Sequence, residues 1–426
     1  MMPQANTQSR IESVLSFEDA QRTVLSHANQ VRSSQNQIEQ VPILDSLGRV
    51  LAQHIVADRD FPPFPRATRD GYAVRSEDVQ RVPVELKVAG EVRAGGNFPP
   101  GFIRLATGDA LSIMTGAPVP DGADAVVMVE YTGRVKQGLR VLRSVAAREN
   151  IVARGSEAKR GSTLVAQGTV ISHPQIALAA SVGKSLVGVY SRPRVAILPT
   201  GDEIVPIDAE PAANQIRNSN SFSLAAQVTA CAGEPVQLPI APDARPGLRE
   251  LIAQGLESDL LLLSGGVSAG EYDLVEDALA EFSAEFLFSG VQIQPGKPLV
   301  FGRAHPRSNR ERWTYFFGLP GNPISTMVTF QLFASVLIRA LAGASEPATQ
   351  GRKMRLRKDV KTKTGLTRFL PGKISGSWDD PQVELLSWHG SGDVAAFAQA
   401  DCLLVIPPDR DSFKSGEWMT VLPIES

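Results

Sequence analysis

The chain of 426 residues is 43% hydrophobic and 21% charged, a composition typical of globular proteins that excludes a disordered or fibrous chain. Its 43 Lys and Arg against 45 Asp and Glu give a net charge of −2, so no overall basic surface indicates nucleic-acid binding. Two distant cysteines, Cys231 and Cys402, exclude a disulfide framework, and at about 150 residues per domain the length predicts about three domains.

The polar start of the chain and its interrupted apolar runs predict a cytoplasmic protein that does not span a membrane. Residues 1–10 lack the apolar core of a secretory signal. The longest apolar stretch, 328–341, is broken by Gln331, Ser335 and Arg339, and it falls short of the about 20 residues that a bilayer span requires.

The N-terminal half begins with a predicted helix over 17–31, where apolar residues recur at the helical period after Ser16. Residues 41–60 predict a turn followed by an apolar helix or strand, and the prolines of 60–67 mark an irregular boundary. A helix starting after Ser172 and stopping at Gly183 ends this half. In between, Gly and Pro turns separate short runs that predict a small all-β unit, at 82–88, 110–114, 125–129 and 139–144.

Strands alternate with helices between 194 and 341. This alternation predicts βαβ crossovers and a mostly parallel sheet covered on both faces. The glycine-rich remainder from 353 onward predicts a second small β unit. The predicted strands of the alternating segment are 194–199, 236–240, 260–263, 286–288 and 314–317, and its helices follow 218–221 or cover 246–256, 274–282 and 323–341.

Three glycine-rich loops, 200–203, 264–270 and 318–323, directly follow predicted strands. Because the carboxyl ends of parallel strands form the ligand crevice of an open sheet, three such loops together favour a binding site over ordinary turns. Asn322 and Pro323 form a predicted helix start, which is a candidate phosphate site. Lys297 stands on a stiff loop as a candidate cation for an oxyanion.

Carboxylates in predicted loops are candidates for a magnesium site. Asp70, Glu203, Asp243 and Asp273 lie near Gly or Pro, and acids that converge on a phosphate crevice would hold Mg²⁺. The five histidines include no pair at metal-ligand spacing on a helix, which disfavours ligation by His or Cys.

Two partial motifs point to other chemistry. GKS at 183–185 is not a P-loop, because the position of the required earlier glycine is Leu178. Residues 266–270 fit the G-x-S-x-G elbow of serine hydrolases around Ser268. The predicted strand ends near Ser264 and the next helix is not expected before Asp273, so the hydrolase is the weaker alternative.

A longer series of motifs runs in one order from about residue 41 to the C-terminus. It comprises DGYAVR (70–75), MTGAP (114–118), DAVVM (124–128) with Glu130, TGDE (200–203), SGGVSAG (264–270) with Asp273, PGKP (295–298) and GLPGNP (318–323) with Ser325. With these motifs the chain resembles the molybdopterin molybdenumtransferases of the MoeA type, to which the E domain of gephyrin and a plant homologue are related.

The resemblance implies a multidomain α/β plus β fold. Its parts are a three-layer α/β molybdopterin-binding domain with a mostly parallel sheet, a small β domain, an elongated connector and a C-terminal β-barrel-like domain. The implied boundaries are 1–60 with 148–190 for the N-terminal helix and connector, 61–147 for the small β domain, 191–345 for the α/β domain and 346–426 for the C-terminal domain.

The resemblance also implies a reaction and partners. Molybdate enters adenylylated molybdopterin with Mg²⁺, and molybdenum cofactor and AMP result. A homodimer is implied, with an active site between the α/β domain of one subunit and the small β domain of the other. The molybdopterin adenylyltransferase and recipient molybdoenzymes are the expected protein partners.

Roles carry over residue by residue. The positions implicated in activity are Asp70, Thr115, Glu203, Asp243, Asp273, Pro320 and Pro323. The substrate-binding positions are Gly201, Ser264, Gly265, Gly266, Ser268, Lys297, Gly321, Asn322 and, with weaker alignment, Ser391. The implied metal ligands are Glu203, Asp243, Asp273 and Glu157.

The chain departs from the family pattern in three places. Pro65, Arg66, Ala67 and Arg69 stand in the usual Phe-Asp-x-Ser-x-Met run, Glu157 stands for the commoner Asp, and Gln294 stands where some members carry Lys. Two alternatives besides the hydrolase stay open. One is adenylylation of molybdopterin, whose enzymes are typically the α/β domain alone, and the other is a scaffold or cofactor-carrier role without turnover.

Overall fold

The computed structural model forms two compact units. It describes residues 14–31, 37–136, 138–242, 244–265, 272–348 and 350–424. The β-rich unit comprises His54–Ala166 and Ala177–Ser185, and the main unit comprises the segment up to Gln53, Gln167–Ile176 and the chain from Leu186 onward. The division into four domains stays a prediction.

Helix α1 (Phe17–Val31) has the predicted bounds. The Ser16 hydroxyl accepts a hydrogen bond from the Asp19 N–H (3.1 Å) and donates one to the Asp19 carboxylate (2.8 Å), which caps the helix. The helix is followed by strand β1 (Ile38–Pro42), and over the next residues the expected helix or strand is a 3₁₀ turn and short bridges.

The β-rich unit contains the predicted all-β segment. Its six-stranded sheet has the order β7 (Ala125–Met128), β4 (Gly71–Val74), β6 (Asp109–Ile113), β5 (Val84–Val92), β9 (Gly138–Val141) and β8 (Thr132–Val135). The chain then enters helix α2 (His173–Ser181), which begins after Ser172 as predicted. The strands of this part are β2 (Ile55–Val56), β3 (Arg66–Ala67), β4 (Gly71–Val74), β5 (Val84–Val92), β6 (Asp109–Ile113), β7 (Ala125–Met128), β8 (Thr132–Val135), β9 (Gly138–Val141), β10 (Ile151–Val152) and β11 (Thr163–Val165).

The α/β segment of the main unit begins after β12 (Leu186–Tyr190), which pairs with β1. The segment consists of β13 (Arg194–Pro199), β14 (Ile204–Val205), β15 (Ile216–Arg217), α3 (Asn220–Ala230), β16 (Glu234–Gln237), α4 (Arg245–Leu256), β17 (Leu260–Ser264), α5 (Tyr272–Ala280), β18 (Glu285–Ser289), β19 (Ile293–Gln294), β20 (Val300–Ala304), β21 (Thr314–Leu319), α6 (Pro323–Thr329) and α7 (Ser335–Leu341).

The central sheet has the order β16-β13-β17-β21-β20-β18. The first four strands are parallel, whereas β20 and β18 run antiparallel to their neighbours. Val195 and Ile197 enter one hydrophobic core while Ala196 and Leu198 enter the core on the opposite face. The three-layer arrangement is therefore confirmed, and β20 is a strand that the sequence patterns did not predict.

The predicted helix over 323–341 is interrupted by a π-helical turn, Phe330–Ala334, between α6 and α7. Among the described residues, Pro323–Leu341 alone is long and apolar enough to cross a membrane, and 89% of its most apolar window is buried inside the protein. A buried core helix has the same composition, so this length and apolarity are explained by packing.

The C-terminal part is a closed five-stranded barrel. Its strands pair in the order β24 (Thr367–Gly376), β25 (Pro381–Leu385), β22 (Arg352–Leu356), β28 (Trp418–Pro423) and β26 (Cys402–Ile406), and β26 pairs back to β24. This closure confirms the barrel-like fold. The elements are β22 (Arg352–Leu356), β23 (Val360–Lys361), β24 (Thr367–Gly376), β25 (Pro381–Leu385), α8 (Val394–Phe397), β26 (Cys402–Ile406), β27 (Ser412–Phe413) and β28 (Trp418–Pro423).

Two glycines in the β-rich unit differ sharply in the room around them. A Cβ on Gly71 would lie 1.9 Å from the Val127 carbonyl oxygen, whereas a Cβ on Gly133 would meet nothing within 4 Å. We expect Gly71→Ala to lower the free energy of unfolding by about 2 kcal/mol or more, because strands β4 and β7 must separate. Gly133→Ala is the control and should change it by less than about 0.5 kcal/mol in urea unfolding. Equal effects would contradict the steric argument.

Candidate functional site

A cavity of about 290 Å³ lies beside the carboxyl ends of β13, β17 and β21 in the main unit. The residues at the start of α3 line one wall, and the β14–β15 ribbon contributes Ile204 and Ile216. Its mixed polar and apolar lining suits a small organic anion. Six residues that the sequence singled out also line it: Glu203, Ser264, Gly265, Gly321, Asn322 and Pro323.

Glycine is required at two positions of these loops. Gly265 has a φ of +94°, and a Cβ there would lie 2.5 Å from the Thr200 carbonyl oxygen. Gly201 has a φ of +136°, and a Cβ there would lie 2.6 Å from Oε2 of Glu203. The exposed Glu203 carboxylate therefore folds back over Gly201.

A buried asparagine connects two of the loops. The Nδ2 atom of Asn220 donates to Ser264 Oγ (3.0 Å) and to the Gly321 carbonyl (2.8 Å). The Ser264 carbonyl in turn accepts the Thr200 N–H (3.0 Å). Sequence reasoning missed Asn220, since its only signal was a place in the Asn- and Ser-rich run before α3.

The start of α6 has the predicted Asn-Pro order, but the Asn322 side chain forms no capping hydrogen bond. The Ile324 N–H in the first turn donates to the Ser391 carbonyl (3.0 Å), and the Thr326 hydroxyl donates to the carbonyls of Asn322 (3.1 Å) and Pro320. A backbone bond therefore brings Ser391 to the helix start. One amide of that start is engaged inside the protein rather than open to a phosphate.

Lys297 is exposed on a fixed loop. Its carbonyl accepts the Val291 N–H (2.9 Å), and a Cβ on the buried Gly296 would lie 2.3 Å from Thr329 Cγ2. The preceding Gln294 accepts a hydrogen bond from Nε of Arg368 (2.8 Å). Sequence reasoning missed Arg368, because nothing in its local pattern links it to a loop more than seventy residues away.

Arg368 is 7% exposed as a residue, and the other hydrogen bonds of its guanidinium go to the carbonyls of Lys363 and Leu366. Within the described ranges it forms no ion pair with a carboxylate. Arg368 therefore brings a buried positive charge, held by an amide and two carbonyl oxygens, to the start of the Lys297 loop.

Asp70 and Thr115 meet in the β-rich unit. The Thr115 N–H and hydroxyl both donate to Oδ1 of Asp70, at 2.7 Å and 2.9 Å. The N–H bond first, and the hydroxyl bond second, hold the pKa of Asp70 below its usual value. The pair presents an exposed carboxylate that is ionised and fixed in orientation.

Two of the implied metal ligands, Glu203 and Glu157, lie in different surroundings. Glu203 lines the cavity, and Mg²⁺ is commonly held by one or two carboxylates plus substrate phosphates, so the chemistry of Glu203 fits this metal. Glu157 accepts a hydrogen bond from Nη2 of Arg66 (2.8 Å), and both side chains are exposed. Across the described part of the chain, no group of three or more His, Cys, Asp or Glu could hold a metal.

Several predicted site residues lie outside the described residues. They are Asp243, Gly266 and Ser268, together with the side chain of Asp273, whose backbone is in the first turn of α5. Their roles stay predictions.

The fold and the site define a multidomain protein: a mixed sheet with glycine loops at its carboxyl edge and a closed C-terminal barrel, in a chain that also contains a β-rich unit. Three family models match in order: "MoeA N-terminal region (domain I and II)" over 15–183, "Probable molybdopterin binding domain" over 196–340 and "MoeA C-terminal region (domain IV)" over 353–424.

Individual proteins agree with these models. A molybdopterin molybdenumtransferase from Nostoc sp. is 34% identical over 92% of this chain and 90% of its own length, and one from Staphylococcus aureus is 31% identical over 91% of each. A molybdopterin biosynthesis MoeA protein from Pyrococcus horikoshii superposes with a TM-score of 0.75 at 28% identity, covering 97% of this chain and 100% of that chain. The chain belongs to the molybdopterin molybdenumtransferase family, and it is a transferase of molybdenum cofactor biosynthesis.

The Asp70–Thr115 pair leads to a prediction about pH. Thr115→Val keeps the N–H but removes the hydroxyl, so the pKa of Asp70 should rise part of the way to its usual value. The lowered pKa of Asp70 contributes to folding stability, and this contribution is lost as the pH falls through that pKa. The loss should therefore occur at lower pH in wild type than in the variant, because wild-type Asp70 is protonated at lower pH. Carboxyl ¹³C NMR titration, with Asp70→Asn to assign the signal, measures this, and Thr115→Ser is the matched control. An unchanged pKa in Thr115→Val would refute the role of the hydroxyl.

Proposed function

We propose that this chain inserts molybdate into adenylylated molybdopterin and releases AMP, with Mg²⁺ as the metal. The observation that supports this most is the cavity, which places two glycine loops and the Glu203 carboxylate together in the segment matched to molybdopterin binding. A pterin that carries phosphate groups is anionic, and backbone amides of glycine loops suit it.

The residues have distinct proposed tasks. The loops at Gly201, Ser264, Gly265 and Gly321 bind and orient the phosphate-bearing substrate, while Lys297 attracts molybdate. When bound, Mg²⁺ would neutralise phosphate oxygens during cleavage of the linkage to AMP, and Glu203 would hold it. Glu157 stays a proposed ligand, and it would exchange its exposed ion pair with Arg66 for the metal.

The remaining proposed roles rest on the resemblance. The ionised Asp70, oriented by Thr115, completes the site from the β-rich unit of a homodimer. Pro320 and Pro323 shape the loop before α6, and Asn322 and Ser391 bind substrate beside it. Gly266, Ser268, Asp243 and Asp273 keep their predicted roles. The molybdopterin adenylyltransferase and recipient molybdoenzymes stay the proposed partners.

The decisive experiment is an AMP-release assay with adenylylated molybdopterin, molybdate and Mg²⁺. Formation of adenylylated molybdopterin from ATP would assign the preceding step instead. Substrate binding without AMP release, under any metal or oxyanion, would indicate a scaffold or carrier.

Glu203→Gln should lower the rate of AMP release at least about tenfold and raise the Mg²⁺ concentration needed for half activity, because the neutral amide is a weaker metal ligand. Glu210→Gln is the control, since Glu210 is exposed a few residues further on, between β14 and β15, and does not line the cavity. If Glu203→Gln is as active as wild type, the proposed role of this carboxylate in metal binding is wrong.

A further inference from the structure

The side-chain amide of Asn220 determines which groups at one end of the cavity donate hydrogen bonds and which accept them; we call this the polarity of the cavity. Asn220 is only 9% exposed, and both of its bonds start from the same atom, Nδ2. The Gly321 carbonyl is only an acceptor, so the amide nitrogen must face it. The second amide hydrogen then goes to Ser264 Oγ, which acts as the acceptor of that bond.

This arrangement leaves the hydrogen of the Ser264 hydroxyl without a protein acceptor in the described residues. Ser264 is 1% exposed as a residue and lines the cavity, while its carbonyl is engaged by Thr200. A buried hydroxyl hydrogen without an acceptor is unusual in a folded protein, and a ligand oxygen in the cavity that Ser264 lines would supply one.

We propose that Asn220 is a positioning residue that makes this end of the cavity selective for anionic oxygen. It occupies the Gly321 carbonyl, which would otherwise repel an anion, and it forces the Ser264 hydroxyl to act as a donor. Ser264 then donates to a phosphate oxygen of the substrate. This inference deepens the proposed function and rests on it for the identity of the substrate.

The chain offers a matched control two residues away. Asn218 also lines the cavity, but its Oδ1 accepts the Ser221 N–H (3.2 Å), so its amide works as an acceptor. Aspartate keeps an acceptor and lacks a donor. The substitution of Asn by Asp therefore preserves the bond at Asn218. At Asn220 it removes the bond donated to Gly321 and turns the Ser264 hydroxyl toward the new carboxylate, while it adds the same charge at each position.

Binding of inorganic pyrophosphate to the full chain, measured by calorimetry, tests the proposal. We expect Asn220→Asp to weaken pyrophosphate at least about tenfold more than Asn218→Asp, the effect of losing one hydrogen bond to a charged group. Equal losses in the two variants would show a charge effect alone and overturn the proposal. Failure of wild type to bind pyrophosphate would overturn it as well.

Ser264→Ala extends the test to the donor itself. In wild type it should weaken pyrophosphate about tenfold, whereas in the Asn220→Asp background it should add less than about twofold, because the donor is already misdirected. Ser264→Ala binding as tightly as wild type would refute the proposal, and this variant also serves if Asn220→Asp does not fold in a thermal unfolding control.

The AMP-release assay separates the two levels of inference. Suppose that wild type binds pyrophosphate with the expected dependence on Asn220 but never releases AMP. This result would refute the proposed function and would still support the role of Asn220 in the cavity. An Asn220→Asp variant with wild-type pyrophosphate affinity would refute the polarity and leave the proposed function standing.

Discussion

The register of three parallel strands determines where the candidate site lies. Pro199 at the end of β13 stands beside Ser264 at the end of β17, which stands beside Leu319 at the end of β21. Every loop that leaves these strands therefore starts at the same level of the sheet. A shift of one residue would also turn buried side chains to the opposite core, so the hydrophobic pattern that folds the sheet also aligns the loops.

Each unit holds its charged candidate residues in a different way. Glu203 and Lys297 are exposed and keep their charges available, whereas Arg66 and Glu157 neutralise each other on the β-rich unit.

The sequence predicted the parts of the fold whose signal is local. The run at Arg194–Pro199 and the helix over Phe17–Val31 have their predicted bounds, because continuous burial and a capped amphipathic face are visible in one segment. Strand β20 was missed since it is antiparallel and lies behind a proline-rich loop. Asn220 and Arg368 were missed because their roles come from contacts distant in the chain, 44 residues to Ser264 and 74 residues to Gln294.

The C-terminal barrel contributes directly to the surroundings of the site. Alternate residues of β24 and β26 divide between two cores: Phe369 and Leu403 join the core of the α/β segment, while Leu370 and Leu404 fill the barrel. From this docked position the barrel side of the main unit supplies the Ser391 carbonyl to the start of α6 and the Arg368 guanidinium to Gln294. An α/β domain alone would leave the Ile324 amide without this partner and would lack the buried positive charge beside the Lys297 loop. The barrel therefore completes the hydrogen bonding of the α6 start and of the loop before Lys297, which the α/β segment does not supply by itself.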